Sequence, residues 1–502
     1  MLIGTLVLGG SASAQVEPTS KQPSADDPSA RPHRLTIEFT TLRLLHDKGI
    51  INDAEFDSAM RDLGDSNGNL GGDSLTLVVG KWSTTMYGFV EADNIWDSTE
   101  SFNDLAGNGA VAKGTSYAGG NGRFTMGVRN SRLGFRMRAP QFHRIRVSAM
   151  LEMDFLGNQG QVGYAQPYQI SENAFFTNPA FRIRHMNLKV ETPWVDVLFG
   201  QYWQLFGWQS VYHPNSVQIQ GLPGQIYSRT PQIRVSKSVK TSPITFEAAV
   251  AMMRAPERDG WLPEGQAGVR LAVNKWTAAA TAGSTGTSIQ PLSIAFTGDV
   301  RQFNAPEFAA TPHATKGVTG WGFAADVFIP IIPGRKEHKR NSLAVNAEYG
   351  LGRGIADLYT GLNAGALGVV NPALPNPTMA TPAPTFNPDI DPALAVYGAD
   401  GNLHAIQVQS VLAGVQYYLP VGDGKLWVSS NFSRLSSSNA FTFKAAGAAT
   451  TRNNELFADA NLFFDATPSV RLGFEYAWFR DSFNDGTFAV NHRYQLSAFY
   501  IF

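Results

Sequence analysis

Residues 144–155 read RIRVSAMLEMDF, and apolar side chains occupy every second position of this stretch. Its apolar positions are Ile145, Val147, Ala149, Leu151, Met153 and Phe155. The positions between them carry Arg144, Arg146, Ser148, Glu152 and Asp154. Because successive side chains of a β-strand point to opposite faces, the pattern predicts a strand with one apolar face and one charged face.

The same alternation recurs from Thr84 to the end of the chain, for example in 132–139, 343–349 and 470–478. A soluble β-sandwich could alternate in this way, with apolar side chains inside and charges outside. The lengths of the connections therefore have to distinguish a sandwich from a membrane barrel.

Connections between the predicted strands alternate between long and short. The long ones are 98–122, 158–179, 208–225, 286–317, 353–403, 437–451 and 481–489. The short ones include Pro140-Gln141, Thr192-Pro193, Thr241-Ser242, Gly422-Asp423-Gly424 and Thr467-Pro468. Two connections, 255–264 and 332–340, are intermediate. This asymmetry is typical of outer-membrane β-barrels, which have short periplasmic turns and long extracellular loops.

The alternating segments predict about sixteen strands, an even number as in bacterial single-chain barrels. They are 84–97, 123–139, 143–157, 180–192, 194–207, 226–240, 242–254, 265–274, 276–285, 318–331, 341–352, 404–419, 425–436, 452–466, 468–480 and 490–502. In 180–192, Phe181 and Ile183 have the opposite parity from Met186 and Leu188, which predicts a bulge or a shifted boundary. The fold class is thus an all-β, antiparallel, up-and-down transmembrane barrel.

The composition agrees with this class. The chain has 502 residues, of which 49 are Gly and only 16% are charged. No stretch approaches the roughly 18 consecutive apolar residues of a transmembrane helix, and a closed barrel is the other structure that can span a bilayer. A net charge of -1 argues against nucleic-acid binding. The absence of cysteine excludes disulfides and thiolate metal sites.

Before the barrel, the chain divides into four predicted segments. Residues 1–14 are apolar and end in Ala12-Ser13-Ala14, as a signal peptide does, although the basic n-region is missing and the segment is predicted to be truncated. Residues 15–35 are rich in Pro and Ser and predict a disordered linker. Residues 36–64 predict a helical hairpin, which either associates with other chains or packs only on itself. A second linker, 65–83, then leads into a barrel of residues 84–502.

The chain ends YQLSAFYIF, in which Tyr494, Leu496, Ala498, Tyr500 and Phe502 share one face. A terminal aromatic residue on an alternating strand resembles the signal by which the barrel assembly machinery recognises its substrates. We therefore assign Tyr500 and Phe502 to this signal.

Several motifs resemble those of DcaP-type outer-membrane porins. They are YGFVEADNIWD (87–97), NSRLGFRMR (130–138), LEMDFLG (151–157), FRIRHMNLKV (181–190), LFGQYWQLF (198–206) and SRTPQIRVS (228–236). The resemblance implies a sixteen-stranded, homotrimeric porin with an N-terminal helical segment, linked to the uptake of small solutes that bear carboxylates.

Strand parity places charges of both signs on the predicted lumen face. The basic candidates are Arg132, Arg136, Arg138, Arg144, Arg146 and Arg234, and the acidic candidates are Glu91, Asp93, Glu152 and Asp154. Arginines lining a narrow pore favour anions, and facing acidic groups create a transverse field. Alternatively, these charges only pair across neighbouring strands and stiffen the wall.

The loop 207–225 follows the fifth predicted strand and is our candidate for the segment that narrows the channel, by analogy with general porins of this size. No metal-binding His spacing, G-x-S-x-G elbow or P-loop occurs, so we expect neither enzyme activity nor a cofactor. The predicted function is passive diffusion of small hydrophilic solutes, small organic anions above all, across the lipid of the outer membrane. An outer-membrane lipase or esterase and a non-conducting anchoring or adhesion barrel are the alternatives.

Overall fold

The computed structural model describes a few positions between 41 and 50 and then residues 75–502, except 108, 158–179, 219–220, 257–260, 283–285, 308–310, 336–338, 362–389, 392, 399–400 and 444–450. The chain divides into two compact units, Met1–Met60 and Arg61–Phe502. In the first unit Thr41 and Leu44–His46 are helical, within the predicted hairpin 36–64. The predicted signal peptide 1–14 and the linker 15–35 lie outside the described residues. No helix among the described parts of the chain is long and apolar enough to cross a membrane.

Twenty strands are described in the second unit. They are β1 (Leu75–Val79), β2 (Trp82–Asp97), β3 (Arg123–Gly127), β4 (Arg132–Arg138), β5 (Arg146–Gly157), β6 (Ala180–Glu191), β7 (Asp196–Trp203), β8 (Arg229–Lys240), β9 (Ile244–Met253), β10 (Glu264–Ala280), β11 (Ser288–Pro306), β12 (Thr315–Ile332), β13 (Leu343–Arg353), β14 (Ala395–Tyr397), β15 (Leu403–Ala405), β16 (Gln407–Tyr418), β17 (Leu426–Ser436), β18 (Arg452–Thr467), β19 (Val470–Phe483) and β20 (Phe488–Ile501). The helical segments are α1 (Tyr117–Gly120) and the 3-10 turns Phe206–Trp208, Ala356–Leu358, Val421–Gly424 and Ala440–Phe443.

Consecutive strands pair in antiparallel fashion around the sheet, and β20 pairs with β2 to close it. β3 and β4 both pair with β2 and together make one interrupted strand of the wall. The wall therefore has sixteen strands, as predicted. β14 and β15 pair with each other in a loop. β1 pairs with the first residues of β2, which precede the part of β2 that pairs with β20.

The final residue completes the seam between β20 and β2. The Phe502 backbone N–H donates to the Gly88 carbonyl at 3.1 Å, and the Gly88 N–H donates to the Phe502 carbonyl at 3.0 Å. A side chain at position 88 would collide with the Arg132 carbonyl on the other neighbouring strand, so glycine is required at this close approach. Tyr500 on the same strand is exposed on the outer surface.

Exposed apolar side chains form the outer surface, while polar side chains alternate with them on the inner face. Along β19, for example, Leu472 and Phe474 are exposed and Arg471 and Glu475 are buried. This distribution fits lipid outside and an aqueous or protein-filled lumen inside. The chain is an outer-membrane β-barrel.

Two errors in the predicted strands compensate for each other. The predicted strands 265–274 and 276–285 form the single strand β10, whose register shifts between Val273 and Thr277, and the predicted long loop 286–317 contains β11. β11 contains Pro291 and Pro306, and proline has no backbone N–H to donate within a sheet. Pro291, however, lies outside the part of β11 that pairs with β12, where a missing N–H is tolerated.

Smaller differences occur at two other places. The predicted linker 65–83 contributes β1, while the part of it before residue 75 lies outside the described residues. The predicted strand 143–157 begins only at Arg146, because Phe142 bridges Ile145 and residues 143–144 form the tip of a tight turn. His143 has a φ of 53°, as turn residues often do.

Deletion of Phe502 should lower the amount of heat-modifiable barrel in the outer membrane several-fold, because the seam loses two backbone hydrogen bonds and an aromatic anchor. Electrophoretic mobility with and without heating measures this. Phe488→Ser, which removes an exposed aromatic side chain from the other end of β20, is the matched control and should assemble normally. Equal assembly of both variants would contradict the proposed role of the terminus.

The two ends of the barrel should differ in their access to protease. Recognition sites inserted near Asn376 or Asn439, in the long connections, should be cleaved on intact cells. Sites inserted near Thr241 or Gly422, in the short turns, should be cleaved only after the outer membrane is permeabilised. The reverse pattern would place the short turns on the cell surface.

Candidate functional site: the barrel lumen

The described residues of three long connections fold into the lumen. We name them loop 1 (residues 98–122), loop 3 (204–228) and loop 6 (354–406). Loop 1 packs Phe102 against Phe479 of β19, with ring centroids 4.9 Å apart. Loop 6 buries Ile355 and Tyr359 in a cluster with Phe206 of loop 3.

Loop 3 crosses from β7–β8 to the opposite side of the barrel. The Val217 N–H donates to Asn461 Oδ1 at 2.9 Å, and the Gln218 N–H donates to Glu475 Oε2 at 2.7 Å. Nearer its end, the Ile226 N–H donates to Glu348 Oε1 at 2.8 Å. Loop 3 is thus fixed to the far wall by its own backbone, and its position inside the lumen agrees with the predicted constriction segment.

The far wall carries most of the inward carboxylates. We call it the acidic wall, and its members on β10–β13 and β18–β19 are Glu264, Asp299, Asp326, Glu348, Glu455, Asp459, Glu475 and Asp481. All eight are buried. Besides the contacts of loop 3, the Val111 N–H of loop 1 donates to Asp481 Oδ2 at 2.7 Å.

Arginines on the acidic wall also neutralise some of these carboxylates. Arg301 contacts Glu264 at 2.7 Å, Asp299 at 3.2 Å and Asp357 of loop 6 at 2.5 Å. Arg452 contacts Asp481 at 2.9 Å. Loop backbone therefore covers Glu348, Glu475 and Asp481, and arginines pair with Glu264, Asp299 and Asp481.

The other side of the barrel, formed by β4–β8, is rich in arginine, and we call it the basic wall. On β4 the inward positions are Arg132, Gly134, Arg136 and Arg138, which extend about 20 Å along the strand at roughly 3.4 Å per residue. Gly134 leaves room for the ring of Tyr87, because the nearest ring atom would lie only 2.3 Å from a Cβ at this position.

Aromatic rings support several of these guanidinium groups. Arg136 lies over Tyr87 at 4.0 Å, and Arg132 lies over Phe89 at 5.2 Å. Such stacking orients a guanidinium while leaving its N–H edge available for hydrogen bonds.

Two carboxylates of β5 face the basic wall and are neutralised there. Glu152 accepts from Arg184 Nε at 2.7 Å and from the Tyr87 hydroxyl at 2.9 Å. Asp154 accepts from Arg182 at 2.9 and 2.6 Å and from Arg184 Nη1 at 3.1 Å.

Arg184 and His185 are both buried in the interior although they are consecutive. The register of β5 and β6 shifts so that Glu152 pairs with His185 and Met153 with Ile183, leaving Arg184 as the extra residue of a β-bulge. The predicted bulge in this strand is confirmed.

Beside the bulge, an aromatic and basic cluster surrounds Trp203 at the base of loop 3. The Trp203 ring lies 5.0 Å from both His213 and Tyr227, and 4.9 Å from the guanidinium of Arg229. Arg184 Nη2 donates to the Tyr227 hydroxyl at 3.3 Å.

Two groups of loop 3 report the electrostatic potential at this cluster. Burial, followed by the charges of Arg184 and Arg132, lowers the pKa of His213 to about 4. Burial alone would raise the pKa of Tyr227, but Arg184, Arg229 and Arg132 together bring it down to about 7. The Tyr227 shift runs against the effect of burial and therefore arises from the positive charge of these arginines.

The open space beside the basic wall is a cavity of about 380 Å³. Its charged lining residues are Arg136, Arg138, Lys189, Arg234, Lys237, Asp196 and Glu247. Basic residues predominate, and Arg234 is held in place by hydrogen bonds from Nη2 to the Trp203 carbonyl and from Nε to Gln232 Oε1. Among the residues that the structure describes, no group of three or more His, Asp or Glu side chains could hold a metal ion.

The architecture has counterparts among solved structures. The outer-membrane channel DcaP of Acinetobacter baumannii is 18% identical over 85% of this chain and 99% of its own, with a TM-score of 0.57. This chain has the fold of an outer-membrane porin. The resemblance to DcaP-type porins that the motifs predicted is confirmed at the level of the fold.

Weaker matches to the porin fold include the anion-selective porin from Comamonas acidovorans, with 10% identity, 84% and 100% coverage and a TM-score of 0.44. OmpF of Salmonella typhi has 8% identity, 85% and 100% coverage and a TM-score of 0.47. No protein-family model and no curated protein sequence matches the chain.

The predicted lining residues of the porin fold lie in four kinds of position. Glu91, Asp93, Glu152 and Asp154 are buried on the inner face, and Ser497 Oγ donates to Asp93 at 2.5 Å. Arg132, Arg136 and Arg234 belong to the basic wall. Arg138 and Arg146 are exposed at strand ends, where Arg146 pairs with Glu191 at 3.4 Å. Arg144 lies at the tip of the turn before β5 and not on a strand, because the Phe142–Ile145 bridge shortens that strand.

Sequence reasoning missed the residues around Trp203. Arg182 and Arg184 lie in the one strand whose parity is broken, so their facing could not be read from alternation. Arg229 and Tyr227 lie at a boundary that was predicted three residues too early, since β8 begins at Arg229 and not at 226. The broken parity of 180–192 was the available signal for the first pair.

Replacing Glu475 by Leu should loosen loop 3, because the buried Gln218 N–H loses its acceptor, a loss that costs about 1–3 kcal/mol. We expect higher single-channel conductance and more current noise in planar bilayers. Glu475→Gln keeps an oxygen acceptor and should behave more like the wild type. Identical traces for the Leu and wild-type proteins would show that this contact does not hold the loop.

Proposed function

We propose that the chain is a porin that allows passive diffusion of small hydrophilic solutes and favours small organic anions such as carboxylates. The observation that carries this proposal is the separation of charge inside the barrel. All eight carboxylates of the acidic wall are buried, and loop backbone covers Glu348, Glu475 and Asp481, while Arg136 and Arg138, together with the largely buried Arg234, line the open cavity. A passing solute therefore meets mainly cationic groups.

Arginine suits a carboxylate solute because its planar guanidinium can bond both oxygens at once. A cation in a wall of low dielectric constant also acts more strongly on a passing ion than it would in bulk water. The acidic candidates Glu91, Asp93, Glu152 and Asp154 were the competing influence. Arginines pair with Glu152 and Asp154, and all four carboxylates are buried, which reduces the negative charge that a solute in the cavity experiences.

We also propose that the barrel assembles as a homotrimer in outer-membrane lipid after insertion by the assembly machinery, as the resemblance of its motifs implies. A barrel hydrolase and a non-conducting anchor were the alternatives at the sequence level. No contact among the described residues specifically favours either of them. We propose that the chain has no catalytic activity of its own.

The double variant Arg136→Gln and Arg234→Gln should have a lower anion preference than the wild type in reversal-potential measurements under a salt gradient. The effect should be clear at low salt and small at 1 M, where the Debye length falls to about 3 Å. Succinate and choline as the test ions extend the measurement to organic solutes.

The control variant Arg254→Gln and Lys425→Gln also removes two charges, but from exposed positions outside the cavity, and should keep the wild-type reversal potential. A cation preference of the wild-type protein at low salt would disprove the anion proposal. It would leave open the simpler function of a general diffusion pore.

A further inference from the structure

The charged residues of β13 and β16–β20 are sorted by sign between the two faces of the wall. Every carboxylate on these strands faces inward, namely Glu348, Glu455, Asp459, Asp465, Glu475 and Asp481. The arginines divide equally, with Arg452, Arg471 and Arg493 inward and Arg353, Arg434 and Arg480 outward.

The inward arginines each contact a carboxylate, as in the pairs Arg471–Asp465 at 2.7 Å and Arg493–Asp97 at 2.8 Å. The outward arginines have no carboxylate partner among the described residues. In sequence, the undescribed residues of loop 6 and of the connection 437–451 contain two carboxylates, Asp389 and Asp400. Pairing within the wall therefore does not account for the outward cations.

Arg434 and Arg480 lie in one row across the outer surface. Arg434 pairs in register with Leu456 of β18, which pairs with Arg480 of β19. Two strand spacings separate the arginines, or about 10 Å at roughly 4.8 Å per strand. Arg353 is also exposed, nearer the end of β13 that leads into loop 6.

This row lies just beyond the lipid-facing band, on the side of the long loops. Along β19 the outward residues are Leu472, Phe474, Tyr476, Trp478 and then Arg480. Aromatic girdles mark the boundary between hydrocarbon and headgroups. The two arginines therefore stand at the depth of the lipid headgroups of the leaflet that faces the long loops.

Neutral neighbours hold both guanidinium groups against the wall. Arg434 Nε donates to Asn454 Oδ1 at 2.7 Å, which leaves its Nη groups for another acceptor. The Arg480 guanidinium lies over the ring of Phe488 at 4.6 Å. Such support lowers the entropy lost when a ligand binds.

We propose that Arg434 and Arg480 form a binding site for the phosphate groups of a glycolipid in the outer leaflet. Two supported guanidinium groups at headgroup depth, with no carboxylate partner among the described residues, match an anion that is presented in the membrane plane and not by the lumen. Arginine binds phosphate through paired hydrogen bonds, and a phosphorylated lipid would supply the missing counter-charge. This inference is independent of what the pore transports.

Native mass spectrometry of the purified full-length barrel, titrated with diphosphorylated lipid A, tests the proposal. The double variant Arg434→Gln and Arg480→Gln should bind this lipid about thirtyfold more weakly than the wild type. Arg434→Lys with Arg480→Lys should retain an intermediate affinity, since charge remains but paired hydrogen bonding is lost. Lys240→Gln with Lys425→Gln, exposed at the short-turn end, should bind like the wild type.

Dephosphorylated lipid A is the second arm of the experiment. We expect it to bind the wild type weakly and to be insensitive to the Arg434 and Arg480 substitutions. Equal binding of both lipids by the wild type, or undiminished binding of the diphosphorylated form by the double Gln variant, would overturn the proposal. Heat-modifiable mobility and unchanged single-channel conductance of the double variant verify that the barrel itself is intact.

Discussion

Lipid offers no hydrogen bonds to a backbone, so the wall of this protein must close on itself, and the rest of the structure depends on that closure. The pairing of β20 with β2 provides hydrogen-bond partners for the backbone groups at the last free edge of the sheet. At this seam Arg493 and Asp97, each from one of the two strands, form a buried ion pair on the inner face. Closure also forces strict alternation of side chains, because one face must be apolar enough for lipid and only the other can accept charge.

Placing so many ionised groups inside one barrel creates the second constraint. Buried charges are costly unless they are paired or hydrogen-bonded. Different groups stabilise the buried charges on the two sides of the lumen. Loop backbones donate N–H groups to the acidic wall, while aromatic rings and two carboxylates support the basic wall. The folding of loops 1, 3 and 6 into the lumen is thus also what determines which sign of charge remains accessible.

Alternation was sufficient to predict the class of fold and a wall of about sixteen strands, because a period of two follows from strand geometry. It did not predict β11. Pro291 is tolerated there because it lies outside the part of β11 that pairs with β12. Nor could alternation place Arg184, since a bulge reverses parity within β6. The contacts of loop 3 with Glu475 and Glu348 join residues more than a hundred positions apart, so no local pattern could reveal which acids are covered.

The free-energy cost of an outward arginine depends on its depth in the bilayer. An arginine on the lipid face costs about 2–4 kcal/mol at the bilayer midplane and about 0–1 kcal/mol at the interfaces. Arg434 and Arg480 lie past the aromatic residues of their strands, so the barrel tolerates them at little cost. Folding alone, however, gives no reason for two cations there, whereas Arg452 and Arg493 are explained by their carboxylate partners. A ligand that brings negative charge to the headgroup region supplies that reason.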